Sequence, residues 1–285
     1  MPTTVMVTGA AGRIGRAVLT LLAERGIETN ALVLSDPGDL TARLVVTGDA
    51  GDAEVVRAAL DGADAVIHLA AIPTPQHHTG REVFAANTLA TYTVLEEAGR
   101  AGIRRTALAS SYGVTGLPWT DDPDPHPAYL PLDEATPPQV ADAYGLSKQT
   151  DELTARMMAR RHTMSVICLR YPFVGGFDER LRAHAARITA DPAAGARELW
   201  TYLETRDAAR AALLALDVPG PGAHAVHLCA PETLVPYPTA ELLRRYHPDT
   251  PLRRSLPGRT APVDTTAARR LLGFTARHLL SPSGG

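Results

Sequence analysis

Hydrophobic and polar positions follow two alternating periods along most of the chain. Short apolar runs of strand length lie at Thr4 to Thr8, Thr29 to Leu34, Arg43 to Val46, Ala65 to Leu69, Thr106 to Ala109 and Ser165 to Leu169. Between them come helical patterns at Arg13 to Arg25, Ala53 to Leu60, about Arg81 to Gly102 and about Ala141 to Arg161. Apolar runs that do not alternate with polar positions predict strands covered on both faces, so the succession of strands and helices predicts an α/β fold with a doubly wound parallel sheet. Leu117 to Pro127, rich in Pro and Asp, can continue neither a helix nor a central strand and predicts a loop beside the site. From Gly175 the pattern changes to short helices and loops. One further apolar run, Ala225 to Ala230, is placed to return a last strand to the sheet.

Composition narrows the classes. At 285 residues and 45% hydrophobic content the chain can bury the core of a globular enzyme. The formal net charge of -3 comes without any dense Lys/Arg cluster, which argues against nucleic acid as a partner. No apolar run approaches the ~20 residues of a membrane span, and Met1 to Val7 lacks the pattern of an export signal, so a cytoplasmic location is expected. Cys168 and Cys229 sit in apolar strand-like runs and read as buried thiols rather than a disulfide or a metal site. The adjacent His77 and His78 have no matching ligand set, so no metal is expected. Arg253 and Arg254 read as solvated surface, and Trp119 and Trp200 as pocket wall or packing.

The chemistry begins at Thr8-Gly9-Ala10-Ala11-Gly12-Arg13-Ile14-Gly15, which lies between a predicted strand and a predicted helix. A tight turn there needs positive backbone angles, and close approach to a pyrophosphate needs positions without Cβ. The helix that begins near Arg13 would offer its free N–H groups and positive dipole end to the phosphates. Asp36, 21 positions past Gly15, stands where an acidic residue would bind the ribose diol, or it is a turn residue before Pro37. With no arginine beside Asp36 for an extra phosphate, the reading favours NAD over NADP.

Far downstream, Tyr144 and Lys148 are one helical turn apart, so their side chains project from one face. A free phenol, with a pKa of ~10, is a poor base at neutral pH unless a cation is near. Beside an ammonium it can take a carbinol proton as hydride leaves. Ser111, after the strand Thr106 to Ala109, is placed to hydrogen-bond the substrate oxygen, with Ser110 as its competitor. Glycine loop and Tyr-x-x-x-Lys together point to nicotinamide-dependent oxidoreduction.

At this point the residues resemble the short-chain dehydrogenase/reductase superfamily, in its extended branch of epimerases, dehydratases and sugar dehydrogenases. The resemblance runs through the glycine loop, Gly48-Asp49, His68 to Ala71, Asn87, Ala109 to Ser111, Tyr144 to Lys148, Leu169 to Pro172, Trp200 to Arg210 and Asp264 to Phe274. It implies a Rossmann-type dinucleotide-binding domain over 1–174, with 201–230 returning to it, and a small substrate-binding cap from 175–200 and 231–285. The last residues, 281–285, are expected to fray. In the family's terms Asp49 and Ala50 would border the adenine, and Leu69, Ala70 and Ala71 would line the cofactor. Tyr171, Pro172 and Phe173 would approach the nicotinamide, and Asn87 would support the cofactor site. Pro73 and Tyr112 join Ser111 and Tyr144 as expected substrate neighbours; Arg170 is expected to play a structural part, with substrate contact as the alternative because related sugar dehydrogenases use arginines nearby. A homodimer is implied, built on the helices that carry Asn87 and Tyr144.

Departures from the family narrow the activity. Phe173 stands where nucleotide-sugar epimerases usually carry an Asn, and Tyr112-Gly113 follows Ser111 where dehydratases carry an Asp-Glu pair. Gly113 also replaces the His of uronate dehydrogenases. The leading expectation is therefore an NAD(P)-dependent oxidoreductase acting on a secondary alcohol or ketone of a sugar or similar polyhydroxylated small molecule. The alternatives are a sugar epimerase that retains its cofactor and a non-catalytic dinucleotide-binding sensor.

Overall fold

The computed structural model describes residues 2–280. The expectation for 281–285 lies outside them. The chain runs β1 (Thr4–Thr8), α1 (Arg13–Glu24), β2 (Glu28–Val33), β3 (Leu44–Thr47), α2 (Ala53–Ala59), β4 (Ala65–His68), α3 (Gly80–Arg100) and β5 (Arg105–Ser111). It continues with α4 (Ala143–His162), β6 (Ser165–Tyr171), β7 (Phe173–Gly175), α5 (Arg182–Ala190), β8 (Tyr202–Glu204), α6 (Thr205–Ala215), β9 (Gly222–His227), α7 (Thr239–Tyr246) and α8 (Thr266–Leu272).

Seven strands form one sheet in the order β3-β2-β1-β4-β5-β6-β9, with every neighbouring pair parallel. This is the doubly wound α/β architecture that the apolar runs predict. The order reverses beside β1, and a crevice at such a switch point, outside the carboxyl ends of the strands, is where an open α/β sheet binds its ligand. All five residues of β1 are buried because helices cover both faces of the sheet. On one face α1, α6 and α8 pack over Val5, Val7 and Ile167, and on the other α2, α3 and α4 pack over Met6, Val66 and Val166. A third apolar cluster, including Leu117, Leu132, Trp200, Leu234 and Leu256, lies in the irregular segments beyond the carboxyl ends of the strands.

Local chemistry sets the ends of the two long helices that carry the site. Thr79 and Glu82 form a reciprocal capping box at the start of α3. Asp142 caps α4 by accepting from the Gly145 N–H at 2.7 Å, which fixes where Tyr144 emerges. At the other end of α4, Arg160, Arg161 and His162 oppose the negative pole of the helix. The small β7–β8 pair breaks the alternation because three-residue strands carry too little pattern to be read from sequence.

Candidate active site

The glycine loop fits a dinucleotide pyrophosphate. Gly9 has φ +64°, and a Cβ there would lie 2.9 Å from the Ala70 nitrogen; at Gly15 it would lie 2.3 Å from the Gly9 oxygen. Both positions therefore require glycine. Helix α1 begins with Gly12 as its N-cap, has no side-chain cap and has no acid in its first turn, so its N–H groups remain open to an anion. The loop is tied to the segment after β4. The Thr8 hydroxyl oxygen accepts from the amides of Leu69 at 3.1 Å and Ala70 at 3.0 Å, so its proton goes to His68 Nδ1 at 2.7 Å. His68 Nε2 then faces Thr91 Oγ1 at 3.3 Å. Burial, with the Lys148 charge adding to it, pushes the His68 pKa down to about 3, so the ring is neutral.

A cavity of about 440 Å³ opens at the carboxyl ends of β4, β5 and β6. Its walls bring together Arg13, Ile14, Leu69, Ala71, Pro73, Ser111, Tyr112, Tyr144, Lys148, Tyr171, Pro172 and Phe173 from the expected set. Gly113 fixes the reactive corner. A Cβ at this position would stand 3.1 Å from the Tyr144 ring and 3.2 Å from Ser111 Oγ, so the absence of a side chain lets phenol and hydroxyl converge. The same crowding leaves no room for a histidine. Ser111 Oγ accepts from the Gly113 N–H at 2.9 Å and keeps its proton to donate. Ser110, by contrast, gives its hydroxyl proton to Glu152 at 2.7 Å.

Lys148 is 3% exposed and donates to the Ala109 carbonyl and to Asp151 Oδ2, both at 3.0 Å. Burial opposes its charge, but Asp151 and Tyr144 outweigh burial and raise its pKa. The ammonium is therefore held charged beside the phenol.

Several expected residues lie elsewhere. Arg170, for which substrate contact is the alternative to a structural part, does not line this cavity; Nε and Nη2 both donate to the Glu152 carboxylate at 2.9 Å, and Nη1 faces His227 Nε2 at 3.2 Å. Its position one residue before Tyr171 on β6 sends it to the opposite face of the sheet, which explains the difference. Asn87 is 1% exposed and spends its amide on the backbone of Ile72 and on Ser147 Oγ, so it supports the loop after β4 and is not a wall residue. Gly9, Gly12, Ala70, Asp36, Asp49 and Ala50, on the loops after β1 to β4, and Gly15, in the first turn of α1, also lie outside the cavity wall. Asp36 is exposed and accepts from the Gly38 N–H at 2.8 Å, the turn alternative. Asp49 likewise accepts from the Gly51 N–H. Tyr112 reaches the Arg197 carbonyl with its hydroxyl at 3.3 Å, and Tyr171 donates to Ala208 at 3.1 Å, so both rings serve as walls. Arg253 and Arg254 face Asp133 and Asp264 on the surface.

The pocket also contains groups with no sequence signal. Arg180 lies over the Phe173 ring at 3.8 Å, and His184 stacks on that ring at 3.8 Å between centroids. Glu198 and Thr201 come from the segment before β8. Burial pushes the Glu198 carboxyl up, against the pull of Arg187 and Arg180. Among the described residues no cluster of His, Cys, Asp and Glu is arranged to hold a metal ion, and no helix is long and apolar enough to cross a membrane.

Comparison with known proteins supports the same reading. The profile of the NAD dependent epimerase/dehydratase family matches residues 5–228. The NAD-dependent glucose-6-phosphate dehydrogenase of Haloferax volcanii is 33% identical over 178 residues, which covers 58% of this chain and 66% of that protein, just under two thirds of its length. A short-chain dehydrogenase/reductase superfamily protein from Agrobacterium tumefaciens with bound NAD superposes with a TM-score of 0.72 at 26% identity, over 97% of this chain and 93% of that chain. MoeE5 in complex with UDP-glucose and NAD superposes with a TM-score of 0.70 at 25% identity, over 97% and 94%.

Proposed function

The chain belongs to the NAD dependent epimerase/dehydratase family, and on that premise we propose that it is an NAD-linked dehydrogenase or reductase acting on a carbinol or ketone of a sugar or similar polyhydroxylated small molecule. The observation that carries this reading is the convergence of Ser111 Oγ and the Tyr144 ring on Gly113, in a cavity that Lys148 also lines. Ser111 donates to the substrate oxygen and orients it. Tyr144 takes the hydroxyl proton in the oxidative direction and returns it in the reductive one. The buried Lys148 ammonium stabilises the negative charge that the phenolic oxygen carries between the two. A dinucleotide held at the glycine loop would supply the hydride acceptor through its nicotinamide, so that the substrate would lose its hydroxyl proton to Tyr144 and a hydride to the cofactor, and the carbinol would become a carbonyl.

NAD is preferred over NADP in this reading, because the exposed Asp36 at the end of β2 would oppose an extra phosphate, and the Arg16 guanidinium that reaches the same loop is already paired with Asp39 at 2.8 Å. Net oxidoreduction is favoured over epimerisation because both faces of the Phe173 ring are occupied by Arg180 and His184, which leaves it as wall.

The test is to purify the protein without added nucleotide, identify any dinucleotide released on denaturation, and titrate NADH and NADPH into the remainder. Reversible binding, tighter for NADH, together with a turnover loss of about 10²–10⁴-fold in Tyr144→Phe, is the expected result. Near-stoichiometric captive NAD would turn the reading to an epimerase. No binding of either nucleotide, or a fully active Tyr144→Phe enzyme, would overturn it.

A further inference from the structure

Glu198 is a charged group in the cavity for which the reaction above has no use. Among the described residues its carboxylate accepts no hydrogen bond; His184 Nε2 lies 3.8 Å away, but burial, with Arg187 and Arg180 adding to it, holds that ring neutral with a pKa of about 4, and the Glu198 side chain keeps 30% of its exposure. A carboxylate partly withdrawn from water without donors loses hydration and gains nothing back. The backbone that holds it is also strained. Leu199 and Trp200, the two residues that follow, both have positive φ, 51° and 53°, a region that side-chain-bearing residues occupy at a cost. Trp200 clamps that turn, with its indole N–H donating to the Pro192 carbonyl at 2.7 Å and its ring packed where a Cβ on Gly195 would stand only 2.5 Å away.

We propose that Glu198 is the specificity-determining residue of the substrate end of the cavity, accepting hydrogen bonds from hydroxyls of an uncharged sugar away from the reacting carbon. This rests on the oxidoreductase reading above. Arg13 and Arg180 line the same cavity, but Arg13 is paired with Glu179 and Arg180 lies over the Phe173 ring, whereas Glu198, a wall residue along with Tyr112, Trp119 and Thr201, has no hydrogen-bond donor of its own among the described residues. A phosphate or carboxylate on the sugar would meet the Glu198 charge in a site of reduced dielectric, whereas hydroxyls would supply the donors that the protein does not. The carboxylate therefore selects neutral polyols and repels their phosphorylated or oxidised forms.

Steady-state oxidation at saturating NAD tests the assignment with D-glucose, D-galactose and L-arabinose as neutral probes, against glucose 6-phosphate, glucuronate and UDP-glucose. The expected result is turnover of at least one neutral sugar with kcat/KM at least tenfold above every charged one. Glu198→Gln should raise the KM for that sugar tenfold or more, leave kcat within about threefold, and narrow the preference over charged sugars by at least tenfold. NADH affinity and the thermal midpoint of the variant should match the parent. A charged sugar preferred by the parent, turnover of none of the neutral probes, or an unchanged KM in Glu198→Gln would each overturn the assignment. The parent's own preference decides the matter if that variant fails to fold. Loss of NADH binding in the parent, or full activity in Tyr144→Phe, would instead mark failure of the oxidoreductase reading.

Discussion

Lys148 Nζ stands 3.0 Å from Asp151 Oδ2, and the two side chains are 4% and 0% exposed. With the Ala109 carbonyl as its second acceptor, the ammonium keeps one N–H for the cavity that it lines. Asp151 therefore orients the ammonium from behind, as a positioning residue. The arrangement is costly if broken, because Asp151 Oδ1 is buried with no hydrogen-bond partner among the described residues.

Removing one member of a buried pair typically costs about 3–5 kcal/mol, because the other is left as an uncompensated charge. Lys148→Met and Asp151→Leu should each lose stability of that order in urea or guanidinium unfolding. The double variant should lose much less than the sum, near the cost of one substitution. Additive losses would mean that the two charges do not interact in solution. The single Lys148 variant is consequently a poor gauge of the lysine's part in turnover, and Asp151→Asn, with NADH binding followed alongside kcat, separates positioning from folding.

How far the site was legible in the sequence follows the reach of local pattern. The strand and helix alternation through β6, the glycine loop and the Tyr144–Lys148 spacing were readable because each is set by residues within one or two turns of each other. Asp151 lies three positions past Lys148 on the same helix face and could have been found by that rule. Glu198 could not. It reaches the cavity only through two positive-φ residues and a Trp200–Gly195 contact, which no periodicity encodes. For Arg170 family likeness gives only a position along β6 and leaves a structural and a substrate part both open, while strand alternation decides that it faces Glu152.

The two inner glycines should behave differently when given a methyl group. At Gly15 a Cβ would meet the backbone of Gly9 and Ala10 at 2.3 and 2.7 Å, and neither neighbour can rotate away. Gly15→Ala should cost about 1–3 kcal/mol of stability and weaken NADH binding by about 100-fold or more. At Gly12 the nearest atom is the Gly9 oxygen at 3.1 Å, so Gly12→Ala should fold normally and show its defect in NADH affinity. Equal thermal midpoints for both variants would show that the loop relaxes in a way the close contacts do not allow.

The expected assembly is a homodimer through α3 and α4. Of the apolar positions on these helices, Leu95 and Met158 are fully buried, whereas Leu89, Tyr92, Leu146 and Leu153 are 56%, 46%, 47% and 59% exposed. Four large apolar side chains left in water on two packed helices are the kind of patch that a second copy covers. Light scattering after gel filtration should give twice the chain mass for the parent and the monomer mass for Leu89→Asp/Leu153→Asp, with NADH binding by the monomer retained. A monomeric parent at micromolar concentration would sink the expectation.

Stability should fall as the solution is made mildly acidic, and His227 offers the clean test. Burial, then the neighbouring Arg170 charge, hold its pKa down to about 3, and His68 is likewise down to about 3, against an ordinary value of 6.5. Both rings are neutral in the folded protein, while the unfolded chain protonates them below pH 6.5. The unfolded state therefore binds more protons, so the stability that these rings contribute is complete above pH 6.5 and is lost as pH falls from there toward 3. Each ring contributes a slope approaching about 1.4 kcal/mol per pH unit once its unfolded form is protonated. Urea unfolding between pH 7 and 5, above the range where most carboxylates titrate, isolates this effect. His227→Gln keeps an acceptor for Arg170 Nη1, which lies 3.2 Å from Nε2, and cannot take up the proton. It should flatten the slope by about one proton while His68, His184 and His247, whose pKa values are also held down in the fold, sustain the remainder. A variant whose pH dependence matches the parent's would mean that His227 is already protonated, or accessible to protonation, in the folded chain.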